Sequence, residues 1–193
     1  MRTQSAQRGF TLIEMLFAVG VAATLSGIVV PPVLRLLEDY RTAGAARYVA
    51  SRLQKARVEA VRRSTNVAVR FTPAGEFSTY VDGNGNGVLS GDIRDGTDPQ
   101  LGAAERLESS FAGVRFGTMT DLPPVDPGGT PLGTDPIHLG ASNIASFTPV
   151  GTSSSGSVYV RGGACQLVIR LYGDTGKTRV LRFEERTRQW RLL

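Results

Sequence analysis

The chain has 193 residues, 41% of them hydrophobic, and a formal net charge of +5, enough for one globular domain with a sizeable core plus an accessory helix. A single histidine, His138, and a single cysteine, Cys165, exclude a histidine-based metal cluster and an internal disulfide, and Cys165 reads as a small core residue. From Arg161 onward eight basic residues face three acids, so the positive excess is concentrated at the C-terminal end.

The first element is a polar stretch, MRTQSAQRG, carrying Arg2 and Arg8, followed by about twenty nearly all apolar residues from Phe10 to Val30. At ~1.5 Å per residue such a run spans a ~30 Å hydrocarbon core as a helix. Positive flanks stay cytoplasmic, which puts the leader inside and the rest of the chain outside. A secretory signal is cut after its apolar region, and Ala22-Ala23 and Ser26-Gly27 offer small residues there, yet the run continues to Pro31-Pro32. The better cut lies ahead of the run, between Gly9 and Phe10, where a residue without a side chain lets a protease grip the backbone closely. That cut leaves an ammonium on Phe10, four residues before Glu14, the one carboxylate inside the run. An intramembrane carboxylate is costly unless paired. The new ammonium, of the same helix or of a neighbour, is its natural counter-ion, and pairing between neighbours would set the axial register of each incoming subunit. Pro31 and Pro32 predict a kink or local melting near Gly27–Pro32.

Residues 8–15, RGFTLIEM, resemble the class III signal of type IV pilins and type II secretion pseudopilins: a basic leader, glycine at the cleavage site, N-methylated phenylalanine, and glutamate four residues later. The resemblance implies that a prepilin peptidase removes leader 1–9 between Gly9 and Phe10, that Phe10 is methylated, and that Glu14 acts in assembly. It implies a helix over 10–31 that is first transmembrane and later filament core. It places the protein in the bacterial inner membrane as a single-pass chain with a periplasmic C-terminal domain, then in a pilus or pseudopilus. The implied partners are other pilins or pseudopilins in a fibre, the peptidase, and an inner-membrane assembly platform.

After the prolines the pattern predicts an amphipathic helix over 32–64. Ala45, Val49, Leu53, Ala56 and Ala60 form one apolar stripe, with Arg47, Gln54, Lys55 and Arg62 on the far side and Val58 as an exception. Small side chains in the stripe let a sheet approach closely. Beyond Thr65 the period changes to two. Strands are expected over 66–73 and 76–83, around an Ala74-Gly75 turn, then near 113–118, 144–148, 156–161, 166–172, 178–184 and 188–192. Region 65–193 thus reads as β-rich, and the fold as α+β: a long N-terminal helix packed on an antiparallel β-sandwich. The stretch TDLPPVDPGGTPLGTDP, 120–136, reads as an exposed, poorly ordered loop.

The stretch IASFTPVGTSSSGSVYV, 144–160, resembles the GspH/FimT branch of pilin-like proteins through Phe147, Pro149, Gly151 and Gly156, which implies a minor, low-copy subunit. DGNGNGVLSGD, 82–92, begins like an EF-hand loop with Asp82, Asn84, Asn86 and Gly87, but Ile93 holds the twelfth position and Asp92 falls one short. Such oxygen ligands can hold calcium weakly, and the same composition makes a turn tolerant of left-handed conformations. No other cofactor is indicated. GTSSSG, 151–156, is not a nucleophile elbow, and His138 lacks the context of a base, so the chain does not read as an enzyme. The C-terminal stretch sets Lys177 and Arg179 on a turn and Arg186, Arg188 and Arg191 around Trp190, a combination suited to phosphate attraction and base stacking. In the FimT-like branch a Gly-Arg-x-Arg motif is associated with DNA capture, and Gly176-Lys177-Thr178-Arg179 matches with Lys for the first Arg. Solvated charges on an exposed strand face are the alternative. The sequence therefore indicates a minor pilin or pseudopilin of a type II secretion pseudopilus or type IV pilus, with a DNA-binding minor pilin for DNA uptake as the other reading.

Overall fold

A computed structural model describes residues 9–72, 74–126 and 133–193. Arg2 and Arg8 of the leader and the centre of the 120–136 loop lie outside the described residues. The chain divides into two compact units, Met1–Leu37 and Glu38–Leu193. Helix α1, Leu12–Arg63, contributes to both.

In the first unit every residue from Phe10 to Leu37 is exposed, and α1 is long and apolar enough to cross a membrane. Helical geometry runs through Pro31 and Pro32, so the melting expected near Gly27–Pro32 does not occur. Each proline removes one intrahelical bond, to the carbonyls of Gly27 and Ile28, but its fixed φ fits the helix. One turn earlier, Ser26 Oγ donates to the Ala22 carbonyl at 2.8 Å and Thr24 Oγ1 to those of Gly20 and Val21 at 3.0 and 2.9 Å. In a non-aqueous setting these bonds satisfy the hydroxyls locally.

The second unit is two antiparallel sheets and the rest of α1. One sheet contains β1 (Val67–Phe71), β2 (Glu76–Val81), β3 (Glu105–Arg106) and β6 (Ile144–Phe147), in the order β3-β2-β1-β6. The other contains β4 (Val114–Phe116), β5 (Ile137–His138), β7 (Gly156–Gly162), β8 (Cys165–Tyr172), β9 (Lys177–Glu184) and β10 (Gln189–Leu192). Its order is β10-β9-β8-β7-β4, with β5 also on β7. Short helices α2 (Ser90–Asp95) and α3 (Leu107–Ser110) lie between β2 and β4. The expected strands all form; β3, β5, α2 and α3, two to six residues each, are too short to carry a period.

The predicted helix stripe is the buried face of α1: Ala45, Val49, Leu53, Ala56 and Ala60 are at most 1% exposed. It shares one core with Phe71 and Phe77 of the first sheet and Leu167, Ile169 and Leu171 of the second. Cys165 belongs to this core, and burial pushes its thiol up to about 11, so it stays protonated at neutral pH. Gln54, expected on the far side, is half-buried. Its Nε2 donates to the Gly176 carbonyl at 3.0 Å, while Arg57 Nε donates to the Gly151 carbonyl at 2.9 Å. The stripe alone could not reveal these ties, because their acceptors lie more than ninety residues away.

Both sheets are covered on their outer faces too. On the second, buried Gln166 accepts from the Met119 N–H at 2.9 Å and donates to the Gly117 carbonyl at 3.2 Å. Trp190 Nε1 donates to the Pro123 carbonyl at 3.0 Å, Arg188 to that of Asp121 at 2.6 Å, and Arg170 pairs with Asp126. Leu122 is buried. The described start of the 120–136 loop is therefore a strap over β7–β10 rather than a poorly ordered excursion, because the proline-rich segment supplies carbonyls to side chains that need them. On the first sheet, Val88 packs on Ala68 and Ile144.

Gly176 has φ +60°, and a Cβ there would overlap the Gly151 carbonyl and lie 2.8 Å from Arg57 Nε. Gly176→Ala is expected to cost about 1–3 kcal/mol, read as a lower denaturation midpoint, whereas exposed Lys177→Ala should leave it within about 0.5 kcal/mol.

Candidate functional site

The sequence placed three sets of residues on function. At the N-terminus, Thr11 immediately precedes α1. Its backbone N–H and its hydroxyl both donate to Glu14 Oε2, at 2.8 and 2.9 Å, and the Glu14 N–H donates to Thr11 Oγ1 at 3.3 Å. This reciprocal arrangement is a capping box, which satisfies backbone donors that the first turn of a helix leaves without partners. Thr11 was legible as the first letter of T-x-x-E but was not singled out. Glu14 thus caps its own helix through one oxygen. Its other oxygen makes no hydrogen bond among the described residues. Phe10 is 83% exposed, and nothing lies within 4 Å of where a Cβ on Gly9 would sit. The described fold therefore places no demand for glycine at position 9.

The loop 82–92 brings Asp82, Asn84, Asn86 and Asp92 together, but with N–H groups aimed at the carboxylates. Asp82 Oδ1 accepts from the N–H of Gly85 at 2.7 Å and of Asn84 at 3.2 Å. Its Oδ2 accepts from the Gly87 N–H and from Asn66 Nδ2, both at 2.8 Å. Asp92 Oδ2 accepts from the side-chain amides of Asn84 at 3.1 Å and Asn86 at 2.9 Å. Buried Asp98 closes the far side, taking the Gly83 and Leu89 N–H groups at 3.0 Å each. Among the described residues no group of three or more acids, histidines or cysteines is arranged to hold a metal. These aspartates fold the loop onto the first sheet. Burial pushes the Asp82 carboxyl up, but the bonds from Asn66, Gly87, Gly85 and Asn84 outweigh it and hold it below the ordinary aspartate value.

The C-terminal cations do not converge. Lys177 and Arg179 lie opposite Tyr172 and Arg170, and the Arg179 guanidinium sits 5.6 Å from the Tyr172 ring centroid. Arg191 lies opposite Arg182, on the face that turns toward Asp39 of α1, and pairs with Glu184 at 2.9 Å. Side chains alternate along a strand, so Arg179 and Arg191 point to opposite faces. Arg188 is bound to the Asp121 carbonyl, and Arg186 is exposed in the β9–β10 turn. Trp190, expected to stack on a base, packs against Phe183 and Tyr159 at 5.3 and 6.0 Å between centroids. Gly176 of the Gly-Lys-Thr-Arg stretch serves the contact with Arg57 and Gly151.

An exposed apolar helix with a capped N-terminal glutamate, and an α+β domain built on the same helix, define a membrane-anchored, pilin-like subunit. The prokaryotic N-terminal methylation motif matches residues 4–30, and the type II transport protein GspH family matches residues 45–179. The pilin-like protein PilA1 of Thermus thermophilus is 30% identical over 167 residues, covering 84% of this chain and 92% of that protein. The minor pseudopilin EpsH of the type 2 secretion system of Vibrio cholerae aligns in structure over 74% of this chain and 97% of its own, with a TM-score of 0.47 and 11% identity. The chain belongs to the GspH family. It is a minor pilin or pseudopilin, a structural subunit of the kind that assembles into fibres with other pilins.

Asp82→Ala strands several N–H groups and is expected to cost about 2–4 kcal/mol. Because its folded pKa is depressed, Asp82 contributes its full stabilisation above the unfolded value of about 3.9, and that contribution is lost as pH falls through the lower folded value. Denaturant titrations between neutral and acid pH should show this loss in the wild type and not in Asp82→Asn. Added calcium should leave the wild-type midpoint unchanged; a rise would show the loop rearranging around the ion.

Proposed function

We propose that the chain is made as a precursor whose leader, residues 1–9, stays cytoplasmic, and that a prepilin peptidase cleaves between Gly9 and Phe10 and leaves Phe10 N-methylated. Residues 10–31 then hold the subunit in the inner membrane, with residues 65–193 in the periplasm, until an assembly platform moves it into a pseudopilus or pilus. The observation that carries this reading is the pairing of an unencumbered Gly9 with the capped Glu14 at the head of an exposed apolar helix. Nothing in the described fold calls for glycine at position 9, so the requirement falls on whatever grips that bond. Once cut, the Phe10 ammonium lies next to Thr11, and the free oxygen of Glu14 is available to the ammonium of a neighbouring helix.

The role is structural: the subunit supplies a shape and a register rather than a reaction. No cofactor enters the proposal, since the 82–92 loop is closed by its own N–H donors. Cations spread over two faces suit a solvated surface better than a nucleic-acid track, which needs a row of cations along one groove.

Mass spectrometry of the purified protein should find a mature N-terminus at Phe10 carrying one added methyl, and Gly9→Leu should leave an uncut precursor in the membrane. A mature N-terminus at Ser26 or beyond would sink this reading.

A further inference from the structure

Arg115 on β4 and Arg161 on β7 stand directly opposite each other across the strand pair. Side chains so placed share a face, with Cβ atoms about 4.5–5.5 Å apart, and like charges there destabilise a sheet. In the two other directly opposed arginine pairs among the described residues, at least one member has a carboxylate: Arg170, opposite Arg179, has Asp126, and Arg182 and Arg191 have Asp39 and Glu184. Among the described residues neither Arg115 nor Arg161 has an ion-pair partner. Arg161 Nη1 reaches the Thr118 carbonyl at 3.5 Å, and that long contact leaves its charge uncompensated. The two line a cleft of about 290 Å³ with Glu108, Gly113 and Gly163, where the two glycines leave the walls low.

We propose that the Arg115–Arg161 cleft receives a carboxylate side chain of a neighbouring subunit in the fibre. The proposal rests on the fibre role given above. A single carboxylate can take both guanidiniums at once, and charge-assisted bonds of this kind are the strong ones. It also removes the repulsion that the chain otherwise carries. A phosphate chain fits less well, because Glu108 lines both this cleft and the adjoining one of Arg106, Arg115 and Phe116. A polyanion would have to pass that acid, whereas one side chain need not.

The test uses the full chain. Isolated fibres should contain about ten-fold less of the Arg115→Gln/Arg161→Gln double variant than of wild type, while its thermal midpoint in detergent micelles equals or exceeds that of wild type, because the repulsion is gone. Arg161→Lys keeps the charge but loses the planar fork, and should fall between them. Should the midpoint drop, Arg161→Lys decides alone, since it preserves the charge and most of the aliphatic stem. Incorporation of the double variant, or of a destabilised chain's Arg161→Lys, at the wild-type level overturns the proposal. In a parallel arm, a duplex oligonucleotide should bind the micelle-solubilised wild type and double variant alike; a loss confined to the variant would make the cleft a phosphate site and overturn the carboxylate assignment. Wild type absent from fibres would overturn the fibre role, and this inference with it.

Discussion

An apolar surface that water cannot favourably cover governs this chain. From Phe10 to Leu37 every residue is exposed. The helical form satisfies the backbone from within, which is the condition for lying in lipid, and only Pro31 and Pro32 withdraw donors from the ladder. The surface must therefore be covered by lipid or by other helices. Glu14 is the one carboxylate in this apolar surface, and in the proposed fibre it gives the covering a direction. Held by Thr11, it is fixed at the head of the helix, where an N-terminal ammonium can meet it. The helix dipole, which favours carboxylates in the first turn, stabilises its negative charge there.

The same helix meets a different demand in the second unit, and the side chains change accordingly. Bulky residues give way to Ala45, Ala46, Ala56 and Ala60, all at most 1% exposed, so that both sheets approach the backbone closely. Where the helix enters this unit, Thr42 faces Gly162 and Asp39 pairs with Arg182 at 2.5 Å. Further along, Gln54 and Arg57 tie the helix to the Gly151 and Gly176 turns. Straps on the outer faces finish the domain, one closed by Asp82 and Asp98, the other by Gln166, Arg188 and Trp190. The product is a head whose outer faces are tied down by these two straps, suited to presenting a fixed surface such as the Arg115–Arg161 cleft.

Much of this was legible because it rests on local periodicity. The 3.6-residue stripe of α1 and the short apolar runs of β7 and β8, buried along most of their length, express which side chains the core removes from water, and a single sequence carries that information. Tertiary hydrogen bonds are not written in this way. Nothing local says that the Pro123 carbonyl awaits the Trp190 indole 67 residues later, or that Gly176 is required by Arg57 and Gly151. Trp190, expected to stack on a base, and the described start of the 120–136 loop, expected to be poorly ordered, bind each other. Asp82 and Asn84 display the spacing of an ion-binding loop, yet the same spacing suits carboxylates that accept their own chain's N–H groups. Residue identity alone does not distinguish the two. The capping box at Thr11 and Glu14 is local and is written in the sequence as T-x-x-E at the head of an apolar run.

In the proposed assembly the charge of Glu14, and not merely its place in the cap, brings the subunit into the fibre. Glu14→Gln separates the two, since its amide oxygen can still accept from Thr11 while the charge is gone. The direct measurement is the amount of Glu14→Gln and Glu14→Ala recovered in isolated fibres, relative to the cleaved protein in the membrane. Both variants are expected to be cleaved at Gly9 and to accumulate in the membrane, with fibre content reduced by about ten-fold or more. Entry of Glu14→Gln into fibres at the wild-type level would contradict the account and leave the glutamate a helix cap alone.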